Sequence, residues 1–184
     1  MAWRDRGVEI KTPEQVAVMR QAGLVVGRTL ALLTESVRAG MTTADLDAIA
    51  EEHILDSGAT SNFKGYHGFP GVICTSVNDE VVHGIPGDRE LREGDLVSLD
   101  CGAIVDGWHG DAAISVPVGD VRPELTALVG DTETALWAGI AAAQVGGRVG
   151  DISQAVESSL RFRGSYGILE DYTCLLYTSD AADE

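Results

Sequence analysis

Two aspartates, Asp100 and Asp111, flank an Asp106-Gly107 pair in the run LVSLDCGAIVDGWHGDAAISVPV. Asp-Gly between two alternating apolar runs announces a two-residue type I′ hairpin, because both turn residues must adopt positive φ. Counting outward from the turn pairs Val105 with Trp108, Ile104 with His109, Ala103 with Gly110 and Gly102 with Asp111. Asp100 then lies one diagonal step from Asp111 on the same sheet face, roughly 7 to 8 Å away at Cα. Gly102, opposite Asp111, is expected to leave empty space beside both carboxylates. Two carboxylates on one apolar face repel each other and resist burial unless a proton or a cation neutralises them. Hard oxygen donors with imidazole nearby suit a divalent ion such as manganese, iron, cobalt or zinc. The spacing alone fits better a hairpin in which one aspartate faces solvent.

His83 lies in VNDEVVHGIPG, after a β run and before a glycine-proline turn, and so at the mouth of a sheet. A histidine there is either a catalytic group or an ordinary surface or core residue, and the same choice holds for His67 and His109. His53, in a helix beside Glu51 and Glu52, reads as solvated. Phe63, Tyr66, Phe69 and Cys74 cluster in and just after a Gly/Pro-rich loop, where they either join the core or line a pocket for an unbranched apolar side chain.

The elements that position these groups are written in caps and periods. Thr12-Pro13-Glu14-Gln15 has a hydroxyl N-cap, proline at the first helical position and Gln three residues on. Val16, Met19, Ala22, Val26, Leu30 and Leu33 then recur at helical spacing up to a stop at Gly40. A second helix starts at Thr42 or Thr43, turns Leu46, Ile49 and Ile54 to one side, and ends at Gly58. These two helices should cover one face of a sheet built from VICTSVN, LVSLDCGAIV and WHGDAAISVPV. Helical pattern returns from Arg122 and, after Gly146-Gly147, from about Asp151 to Phe162.

Composition narrows the partners. With 13 basic and 29 acidic residues the formal charge is -16, which repels phosphate backbones and anionic lipid, so neither nucleic acid nor membrane is expected. Cys74, Cys101 and Cys174 are an odd count without a Cys-x-x-Cys pair, fitting a reducing cytoplasm rather than a disulfide framework. The most apolar stretch is taken as ALWAGIAAAQV, far short of a membrane span, and the N-terminus carries no apolar run behind its charges.

The segments KGYHGFPGVICTSVNDEVVHGIP and GDLVSLDCGAIVDGWHGDAAISVPVG, with the opening IKTPEQVAVMRQAG, together resemble the type I methionine aminopeptidases from about Val8 to Thr173. The resemblance implies an α+β, pita-bread fold, of which this chain would hold the N-terminal part, a mixed or antiparallel sheet covered by helices. It implies two divalent cations (Co, Mn, Fe or Zn), with Asp100 on one and Asp111 bridging both. It implies that His83 donates to the scissile peptide, and that Phe63, Tyr66, Phe69 and Cys74, with His67 beside them, hold the methionine side chain. The expected activity is removal of the N-terminal methionine from nascent chains whose second residue is small, by a cytoplasmic monomer working near the ribosome.

Departures from that pattern matter too. The family continues with a metal histidine, a further substrate histidine and two metal glutamates, whereas no histidine follows His109 here. Residues 1–173 therefore read as an incomplete catalytic domain that binds metal weakly and hydrolyses nothing. Residues 174–184, CLLYTSDAADE, match the reading frame of a sequencing adaptor and are expected to be non-native. Three other readings stand beside this one: aminopeptidase P or prolidase, a non-catalytic binding protein on the same scaffold, and a fragment whose exposed sheet edges make it aggregate.

Overall fold

The computed structural model describes residues 10–168. Residues 169–173 and the expected non-native tail lie outside that range. The chain divides into two compact units, one up to Val121 and one from Arg122.

In the first unit, helix α1 spans Pro13–Ser36 and α2 spans Thr43–Asp56. Both begin as their sequences predict: Thr12 caps Gln15 and Thr42 caps Asp45, each in a reciprocal capping box. The first helix ends at Ser36 with Val37 as its C-cap, short of the expected stop at Gly40. Its packed stripe begins at Ala22 and runs through Val25, Val26, Thr29, Leu30 and Leu33; Val16, expected on that stripe, is 52% exposed.

The four strands are β1 (Thr60–Ser61), β2 (Ile73–Val77), β3 (Leu96–Val105) and β4 (Trp108–Pro117), and every pairing is antiparallel, with no parallel strand among the described residues. The long β3 is the centre. It pairs with β1 and β2 in succession along one edge and with β4 along the other. One of its faces carries Val97, Leu99, Cys101 and Ala103, all fully buried with Ile73, Leu33, Leu46 and Ile54 in the core made with α1 and α2. Each fully buried aliphatic side chain there contributes about 1.5–3 kcal/mol.

Apart from the ALWAGIAAAQV segment, a longer apolar run forms α1. Its 24 residues, with mean hydropathy 1.4 over an 18-residue window, are long and apolar enough to cross a membrane. Its apolar stripe is instead spent on the sheet. A Cβ on Gly110 of β4 would sit 2.6 Å from the backbone of Ala22 and Gly23, so helix and strand touch main chain to main chain. That is a core helix.

In the second unit α3 (Pro123–Ala142) and α4 (Val149–Arg163) pack together, with Gly139 close under Val156 and Ile152. Asp131 ties the pair by accepting from Arg163 at 2.9 Å and from the Tyr166 hydroxyl at 2.6 Å.

Candidate metal centre

Residues opposite one another in an antiparallel ladder share a face, so the register lays the site out in rows. One row is Cys74, Asp100 and Ala113. The next holds Gly102 and Asp111. Asn62 continues that row across β3, since Ser61 pairs with Ala103 and the Asn62 N–H donates to the Gly102 carbonyl at 3.3 Å. The register counted from the turn is the observed one at every pair, and the turn residues have the positive φ it demands, 48° at Asp106 and 81° at Gly107.

The two carboxyls meet. Burial, then the charge of Asp111 and a hydrogen bond with it, push Asp100 up to about 6. Asp111 is raised as well, chiefly by loss of water around its carboxyl, although the residue as a whole lies on an exposed strand; the hydrogen bond from Asp100 and the nearby His109 oppose the rise. Asp100 is therefore the first of the pair to take a proton. The Cys74 thiol, opposite Asp100, is pushed up to about 12 by burial and by Asp100, Asp111 and Asp47, so it stays a neutral thiol. Two hard, mutually repelling oxygens fit a divalent cation, which relieves the repulsion that a proton otherwise relieves. Among the described residues no group of three or more His, Cys, Asp or Glu is placed to hold a metal.

The space beside Gly102 is not open, contrary to the expectation from sequence. Asn62 lies across it: a Cβ on Gly102 would fall 2.7 Å from Asn62 Nδ2 and 2.8 Å from its Cγ. The amide crosses β3 to donate from Nδ2 to the Gly110 carbonyl at 3.4 Å, while Oδ1 is buried with no partner among the described residues. Glycine at 102 makes the saddle that this crossing needs.

The surrounding loops are tied to β2. Asp47 of α2 accepts from Val72 N at 2.7 Å and Ile73 N at 3.0 Å, fixing the start of the strand that carries Cys74. Gly71 is pinched between Asp47 and Pro86. The Gly84 carbonyl accepts from Thr75 N at 2.9 Å, Gly84 N donates to Ser76 Oγ at 3.1 Å, and a Cβ on Gly84 would meet the Thr75 carbonyl oxygen at 2.1 Å. His83 thus rides at the outer edge of β2 with φ 59°, its side chain exposed. It is not among the groups acting on Asp100 or Asp111.

The aromatic loop is only partly gathered. Phe63 and Phe69 meet edge to face at 6.4 Å, and Tyr66, 66% exposed, stands edge-on to His67 at 4.4 Å. Cys74 is buried in the sheet beside Asp100. His109 is exposed on β4, opposite Ile104. His53 is not solvated as expected: it is half-buried, and its Nδ1 pairs with the fully buried Thr29 hydroxyl at 2.9 Å, a long-range bond that the flanking glutamates hide from the sequence. Asn62, Asp47 and Gly84 were also missed, and only Gly84, next to His83 and before a proline, carried a local cue.

A helix-backed antiparallel sheet that turns two desolvated aspartates toward each other from neighbouring strands defines an α+β scaffold for hard divalent cations. The chain belongs to metallopeptidase family M24, which its sequence matches over residues 17–177. It is 44% identical over 164 residues to a methionine aminopeptidase of Clostridium acetobutylicum, covering 89% of this chain and 65% of that protein. It is 46% identical over 173 residues to methionine aminopeptidase 1 of Mycobacterium tuberculosis, covering 91% and 65%. The crystal structure of the Rickettsia prowazekii methionine aminopeptidase superposes with a TM-score of 0.86 at 36% identity, covering 91% of this chain and 67% of that one. The fold is thus the pita-bread fold of this family. The chain spans 65%, just under two thirds, of the length of the two relatives.

Proposed function

We propose that the complete protein is a methionine aminopeptidase that removes the N-terminal methionine of nascent chains whose second residue is small. The observation that carries this reading is the Asp100–Asp111 pair, meeting on one face in a chain 44% identical to a protein of that name. Asp100 and Asp111 would hold the divalent cations (Co, Mn, Fe or Zn), two in the complete protein, with Asp111 serving both. When bound, such cations acidify water to a nucleophile at neutral pH and polarise the scissile carbonyl.

The chain's own groups do the rest. Asp100 and Asp111 are acceptors only when ionised, so the pair works above the pH at which Asp100 sheds its proton. His83, held by the Gly84 clamp on β2, donates to the scissile peptide. Phe63, Tyr66, Phe69 and Cys74 receive the methionine side chain, with His67 beside them, and the neutral Cys74 thiol offers the thioether a soft, uncharged wall. The protein works as a monomer in the cytoplasm, close to the ribosome.

The test is release of methionine from a Met-Ala-Ser peptide with Mn²⁺ or Co²⁺ present. The protein translated from the source gene through and beyond codon 173 should release it, and the 184-residue chain should not. No release by the longer protein would overturn the activity. Release by the 184-residue chain would overturn the claim that its ligand set is incomplete.

A further inference from the structure

We propose that the side-chain amide oxygen of Asn62 is a third oxygen of the cation site, accepting a hydrogen bond from water bound to the cation that Asp100 and Asp111 hold. The proposal rests on the reading of those two aspartates as cation ligands.

Three observations converge on it. Asn62 stands in the same cross-strand row as Asp111, with only the side-chain-free Gly102 between them. Its amide is oriented by the structure itself, because Nδ2 is committed to the Gly110 carbonyl and the other end must then be oxygen. That oxygen is shut away from solvent and, among the described residues, accepts nothing. An acceptor left empty inside a protein is costly, and native folds rarely tolerate one without a ligand, ion or water to fill it. The neighbours in the two rows do not fill it: ionised aspartates are acceptors only, the Cys74 thiol makes no hydrogen bond to it, and Gly102 and Ala113 bring no side-chain donor. Water on a divalent cation is a strong, acidified donor and answers this need. A role as a mere tie between β1 and β4 would use Nδ2 alone and leaves the oxygen unexplained.

The experiment is titration of the full 184-residue chain with Mn²⁺ at up to millimolar concentration. Binding is read from loss of the free-ion electron paramagnetic resonance signal and from water-proton relaxation, with the fold checked by circular dichroism. Partners that orient a metal's ligands and waters typically contribute 10- to 100-fold in affinity, so Asn62→Ala should bind Mn²⁺ at least about tenfold more weakly. Asn62→Asp, which keeps an oxygen and adds charge, should bind as tightly as the unaltered chain or tighter, even though it forfeits the bond to Gly110. If Asn62→Ala does not fold, the Asp variant decides. Mn²⁺ affinity in Asn62→Ala within twofold of the unaltered chain, or weaker binding by Asn62→Asp, overturns the proposal while leaving the aspartate site standing. Failure of the unaltered chain to take up Mn²⁺ at all removes the aspartate site and this proposal together.

Discussion

At Asp100 the folded chain holds a carboxyl near 6 that would titrate near 4 in the unfolded chain. A carboxyl raised by folding keeps its proton longer in the native state. Its contribution to stability is therefore complete below about 4 and is lost as pH rises through about 6. Asp111 pulls in the same direction. Asp45, Asp95 and Asp131 are lowered by their hydrogen-bond partners, and their contributions are lost only in acid, below this window. With divalent ions chelated, thermal melts should show the chain more stable at pH 5 than at pH 7.5, and Asp100→Asn should flatten that slope. A chelated chain whose melting temperature rises between those two values would contradict the placement of the pair. Added Mn²⁺ should stabilise at pH 7.5 and do little at pH 5, where a proton already occupies Asp100.

At the scale of elements, the hairpin is held to α1 by a contact with no side chain in it. A methyl on Gly110 would strike main-chain atoms of Ala22 and Gly23 at 2.6 Å, and neither helix nor strand can swing an atom aside as a side-chain tip could. Overpacking of this kind costs typically 1–3 kcal/mol, and Gly110→Ala is expected at the upper end, about 3 kcal/mol, measured as a fall in urea midpoint at unchanged slope. Because Gly110 precedes Asp111, the same variant should weaken Mn²⁺ binding. The hairpin and the first helix's capping box were legible because each is local: a two-residue turn with period-2 strands leaves one register, and Thr-x-x-Gln marks a helix start by itself. Asp47 and Asn62 were not legible. The groups they serve lie 25 residues away on Val72 and 48 on Gly110, and nothing in their immediate surroundings announces a backbone partner so distant. The His53–Thr29 bond hid for the same reason, behind two glutamates that mimic a solvated helix face.

At the scale of the whole molecule, the α+β class, the order of elements and the family were all readable, since M24 motifs lie in the hairpin and the His-Gly-Ile-Pro loop. The packing of α1 against the sheet was readable too, from its apolar stripe, although its length and hydropathy alone fit a membrane span as well. One consequence follows from β3 being bonded along both edges while β4, among the described residues, is bonded along one. The two aspartates then live on different clocks. Amides along β3 can exchange with deuterium only when the sheet opens as a whole, whereas β4 can fray from its free edge, so Asp100 is a fixed post and Asp111 an adjustable one. Mn²⁺ should slow deuterium uptake across 108–117 far more than across 96–105, and equal slowing of both would show the two strands already opening as one. Where β4 frays alone, cation capture is read most sensitively not at the carboxylates but in the breathing of the strand that carries Asp111.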